Sequence, residues 1–65
     1  MPQFLVFRDS AKRQILIDVH CIKCLYEHPN GKETFMYFES HVLLIEGALK
    51  DIWSLIEGAL ESEDE

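Results

Sequence analysis

The sequence predicts an α+β fold: a small antiparallel β-meander of three to five strands, packed by one C-terminal amphipathic helix. Three observations predict it. Short runs of β-branched and aromatic residues alternate with polar turns; His28-Pro29-Asn30-Gly31 has the chemistry of a hairpin turn; and an apolar stripe of helical period runs through the last part of the chain.

The elements follow in order. Gln3 to Arg8 (QFLVFR) is a first strand, and Asp9 to Lys12 a polar turn. Arg13 to Val19 alternates, with Ile15, Ile17 and Val19 on one face and Leu16 and Asp18 on the other. His20 marks a bend. From Cys21 to Glu27, the residues Ile22, Cys24 and Tyr26 share a face, and Cys21, Lys23, Leu25 and Glu27 share the opposite one. In the turn that follows, Pro29 fixes φ at the first central position, Asn30 suits the second, and Gly31 accepts the positive φ after it. That turn leads into Thr34–Phe38 (TFMYF), almost pure β-former.

The helix is expected from about Gly47 to Glu61. Leu49, Ile52, Trp53, Ile56 and Leu60 fall within an arc of roughly 100°, the stripe of a core-facing helix. Lys50, Ser54, Glu57, Gly58 and Glu61 take the other side. Its start has two readings. The pentapeptide Ile-Glu-Gly-Ala-Leu occurs at 45–49 and again at 56–60, about three helical turns apart, which favours a helix from near Ser40. Against this, Gly47 would cost a helix about 1 kcal/mol. Leu43 would also point into the polar face, and Val42-Leu43-Leu44-Ile45 reads as a buried strand. The balance favours a short strand at 41–45.

Sixty-five residues make one domain, expected over 1–61, with 62–65 a solvated acidic tail. An apolar fraction of 48% offsets the entropy of ordering and excludes a disordered chain. A core of this size supplies only about 3–5 kcal/mol, so a staple is expected: a metal, a disulfide or, the preferred choice, a second copy of the chain. The net charge of −6 repels phosphate, and no nucleic-acid partner is expected, although Arg8, Lys12 and Arg13 form a small basic cluster. No run of 18 apolar residues suggests a membrane span, and no leader pattern opens the chain. The expected setting is the cytoplasm, with both cysteines reduced.

His20-Cys21-Ile22-Lys23-Cys24, with His28 beyond, is the one arrangement resembling a metal or redox site. Zinc takes four converging N or S ligands, and Cys-x₂-Cys supplies two. Cysteines three apart on a strand point to opposite faces, and Ile-Lys offers no Gly or Pro for a knuckle. The favoured reading makes Cys21 and Cys24 buried or half-buried structural residues, and no cofactor is expected. No serine sits in a strand–turn–helix elbow, and neither a phosphate loop nor an H-E-x-x-H motif is present, so the chain is not expected to be an enzyme.

The aromatics Phe4, Phe7, Phe35, Tyr37 and Phe38 read as core rather than as a base-stacking platform. Phe35 and Tyr37 share one side of their strand, and Met36 and Phe38 share the other. A lone helix shields one sheet face, so the second needs another cover. Phe35, Tyr37 and Tyr26 are the candidate interface residues. Trp53 joins them as a candidate, although its place in the helical stripe also makes it a core residue.

The order strand, "DVHCIKCLYEHPNGKETFMYF", "VLLIEGAL" and helix resembles the small FlbD-like flagellar and swarming-motility proteins. The matching positions are Ile22, Thr34, the run Val42–Ile45, Glu46, Ile52 and Ile56. The family's usual Glu-Ser at the helix start is Glu46-Gly47-Ala48 here, and Asp18 stands where an Asn is typical. The resemblance implies a small cytoplasmic accessory protein without catalytic residues, and a strand at 41–45. The expected function is thus a non-enzymatic, self-associating interaction or accessory module, homodimeric and with a further, unidentified protein partner. The alternative is a small zinc-binding regulator using Cys21 and Cys24 with His20, His28 or His41.

Overall fold

A computed structural model describes residues 3–61, so the acidic segment 62–65 lies outside the described residues. The order of elements is β1 (Phe4–Arg8), β2 (Gln14–Asp18), a 3₁₀ turn (Val19–Cys21), β3 (Cys24–Glu27), β4 (Glu33–Tyr37), β5 (Val42–Glu46) and α1 (Leu49–Glu61). The fold is α+β with antiparallel strands and one C-terminal helix. The strands divide into two sheets, a β1–β2 hairpin and a three-stranded sheet in the order β3-β4-β5.

The division has a local cause at Val19–Cys21. The Val19 N–H donates to the Gln3 carbonyl at 2.9 Å and closes the hairpin, while the Asp18 carboxylate accepts from the His20 N–H at 3.0 Å and starts the 3₁₀ turn. Val19 is buried and anchors the crossing in the core. The turn also changes the phase of the next strand. Ile22 packs against the core, while Cys24 and Tyr26 face outward, so the three do not share a face.

The two sheets meet at the tip of the first hairpin. Asp9 bridges Ile45, and the Ser10 N–H donates to the Leu44 carbonyl at 3.0 Å. Asp9 is buried, and its carboxylate accepts from the Ala11 and Arg13 backbone N–H groups and from Arg13 Nε. Beside it Lys12 takes a φ of 69°, unusual for a side-chain-bearing residue, and pairs with Glu46. At the second hairpin Gly31 has φ 71°, as its turn chemistry predicts, and donates its N–H to the His28 carbonyl at 2.9 Å.

Val42–Glu46 is a strand, paired through Ile45 to Thr34 and through Leu43 to Met36. The two copies of Ile-Glu-Gly-Ala-Leu therefore fold differently. The first spans the end of β5 and the entry to α1, with Gly47 at φ 124°; the second lies wholly within the helix. Buried Thr34 fixes the entry by donating its Oγ1–H to the Gly47 carbonyl at 2.9 Å. Gln3 Nε2 donates to the Ala59 carbonyl and ties the far end of α1 to the start of β1.

The core is Phe7, Ile17, Val19, Met36, Ile45, Ile52 and Ile56, flanked by Leu25, Leu43 and Leu60 among others. Met36 and Ile45 face the helix, so α1 covers one side of the three-stranded sheet only. Within the helix the buried line is Ile52–Ile56, which turns Trp53 to its flank at 47% exposure. Trp53 is not the core residue that the stripe suggested.

Candidate functional site

The face of the three-stranded sheet away from α1 follows from its register. Tyr26 lies opposite Phe35 and Phe35 opposite Leu44; Cys24 lies opposite Tyr37 and Tyr37 opposite Val42. Side chains alternate along each strand, so these six share one face while Leu25, Met36, Leu43, Thr34 and Ile45 take the other. Tyr26, Tyr37 and Val42 are 58%, 36% and 44% exposed, and Phe35 and Leu44 are half-buried. The Tyr26 and Tyr37 rings meet edge-on with centroids 5.3 Å apart. Two acidic groups stand at one end of this apolar face, Glu33 and Glu46, the second of them paired with Lys12.

Phe35, Tyr37 and Tyr26 are thus brought together. Trp53 is not brought to them, because it belongs to the helix on the opposite side of the sheet. A second exposed apolar row, which the interface candidates did not include, lies on the outer side of the first hairpin. There Val6 pairs with Leu16 next to Phe4, and Leu16 is 65% exposed. The signal was present in the alternation that set Leu16 apart from Ile15 and Ile17.

The cysteine–histidine candidates are dispersed. Cys21 and Cys24 are both free and exposed, not buried or half-buried structural residues. The 3₁₀ turn that ends at Cys21 lifts its side chain away from the core, and Cys24 opens β3 on the outer face. His28 lies four positions along from Cys24, at the other end of the strand. Its Nδ1 accepts from the Asn30 N–H at 3.1 Å, and its ring sits 5.3 Å from that of Phe35. His41 stacks on Phe38, with centroids 4.6 Å apart and planes 11° from parallel. His20, Cys21, Lys23, Phe38 and His41 border a shallow cleft of about 340 Å³. Among the described residues no three His, Cys, Asp or Glu side chains are grouped to hold a metal ion.

Asp9 is the other feature that sequence reading passed over. Its carboxyl is held below the ordinary carboxylate range, chiefly by the hydrogen bond from the Arg13 backbone N–H, against the opposing effect of burial. Its signal was an Asp at the opening of a turn, with backbone N–H groups two and four residues on within reach.

No protein-family model, curated protein or solved structure matches the chain. No helix among the described residues is long and apolar enough to cross a membrane.

Proposed function

We propose that this chain is a non-enzymatic, self-associating interaction module of the cytoplasm, which offers the outer face of its β3-β4-β5 sheet to a protein partner. The observation that carries the reading is the apolar face itself. Tyr26, Phe35, Tyr37, Val42 and Leu44 are contiguous by register, and the helix covers only the opposite side. Exposed tyrosines set among aliphatic neighbours suit a docking surface, since each ring contributes a large area at little rotamer cost. Glu33 at one end of the face favours a partner with a cationic group there, and the chain's net charge of −6 steers such a partner towards it. The accessory role that the FlbD-like resemblance implies is of the same non-enzymatic kind.

The test is comparative capture from host extract with the wild-type chain and a Tyr26→Glu/Tyr37→Glu variant. Both positions are exposed, and matched melting curves establish that the variant folds. A defined protein is expected on the wild type, lost with the variant and released as salt rises. Equal retention by both chains would remove the sheet face from the proposal.

A further inference from the structure

The first hairpin carries a strand edge that complements itself. The Asp9 N–H donates to the Arg13 carbonyl and the Val19 N–H to the Gln3 carbonyl, which sets the phase of the β1–β2 ladder. In that phase Arg13, Ile15, Ile17 and Val19 direct their backbone groups to β1, while Gln14, Leu16 and Asp18 direct theirs to the opposite side. That side of β2 pairs with no strand among the described residues. It also lacks the usual protection of an edge: there is no proline or bulge, and its central side chain is an exposed leucine.

We infer that two copies of the chain associate by antiparallel pairing of β2 with β2 about a two-fold axis at Leu16. This rests on the self-association reading above and names the surface that performs it. The two-fold sets Leu16 against Leu16 and Gln14 against Asp18 of the second copy, twice over. On the inner side it sets Ile15 against Ile17. No like charges face each other, and each Gln14 amide can donate to a carboxylate. The hydrogen-bonding residues 14, 16 and 18 lie opposite 18, 16 and 14, so the edge bonds satisfy both strands together. The result is a continuous four-stranded sheet, β1-β2-β2-β1, whose outer side joins both copies' Phe4, Val6 and Leu16 into one apolar band. Of the other edges, β1 and β5 meet each other at the hairpin tip, where Asp9 bridges Ile45, and β3 offers fewer bonds. The His28 N–H donates to the Glu33 carbonyl, so only Leu25 and Glu27 of β3 direct backbone groups outward, against three residues of β2. Pairing at β2 leaves the sheet face with Tyr26 and Tyr37 open in each copy.

Sedimentation equilibrium on five chains tests the assignment. The wild type is expected as a reversible dimer. Leu16→Lys sets two ammonium groups opposite each other at the axis and should weaken it at least about tenfold. Gln14→Asp, which faces Asp18, should also loosen the dimer, whereas Gln14→Lys should tighten it. All three changes are at exposed positions. Within one chain Gln14 lies opposite Arg8, so the Asp variant should stabilise the hairpin while weakening the dimer. A merely structural effect has the opposite sign. A dimer indifferent to all three changes but split by Tyr26→Glu/Tyr37→Glu would overturn the β2 assignment and leave self-association standing. A wild type monomeric at tens of micromolar would overturn both.

Discussion

Asp9 and Gly47 each fix a junction, and each makes a prediction. The Asp9 carboxyl titrates below its ordinary value in the folded chain, because the N–H groups of Arg13 and Ala11 and the Arg13 guanidinium all favour the charged form. A depressed native pKa contributes stability above the unfolded value near 4, and that stability is lost as pH falls through the native value. Melting temperatures between pH 6 and 2 should therefore drop in the acid limb, and Asp9→Asn should flatten that drop while lowering stability at neutral pH. An unchanged acid limb in the variant would separate Asp9 from acid unfolding. Gly47 is tested by Gly47→Ala. With φ at 124° and Ile52 Cδ1 3.0 Å from an added Cβ, it should cost more than about 1 kcal/mol in urea titration. Gly31 was readable from its turn, because Pro29-Asn30-Gly31 states the need for a positive φ. Lys12 was not, since the left-handed position in the first turn falls on a residue with no special liking for it.

At the scale of elements, the helix shows where periodicity informs and where it stops. A stripe at 100° per residue identified α1 and its end, but its width did not tell the buried line from the flank. Ile52 and Ile56 took the line, and Trp53 and Leu55 were left on either side of it. Truncations should follow this division. Ile52→Ala should cost about 2–4 kcal/mol, enough to unfold much of a domain this size, and Ile52→Val about 0.5–1.5 kcal/mol. Trp53→Ala should cost under about 1 kcal/mol in the same titration. Gly58 lies in the helix interior with nothing within 4 Å of an added Cβ, so Gly58→Ala should stabilise by about 0.5–1 kcal/mol. The repeated Ile-Glu-Gly-Ala-Leu defeats any purely local reading. Its first copy is held as strand and bend by Glu33, Thr34 and the Lys32 carbonyl, contacts that lie outside the pentapeptide.

For the whole molecule, hydrophobic alternation gave the strands and their inner faces, but the break into two sheets depended on a three-residue 3₁₀ turn with no distinctive composition. The dispersal of Cys24 and His28 from Cys21 follows from the same turn, because it resets which side of β3 each residue takes. What remains is a small chain with apolar surface on the outer side of both sheets, and that has a thermodynamic consequence. If the folded chain self-associates and the unfolded chain does not, association draws the equilibrium towards the native state and the melting temperature depends on concentration. A tenfold rise in protein concentration above the dissociation constant is then about 1.4 kcal/mol per dimer, or roughly 3–6 °C for a domain of this size. Scanning calorimetry across a hundredfold range should show this shift for the wild type and a smaller one, beginning at higher concentration, for Leu16→Lys. Coincident melting temperatures for the wild type over that range would mean that the exposed leucine, valine and tyrosine side chains stay in water, and that the second copy has no part in holding the fold.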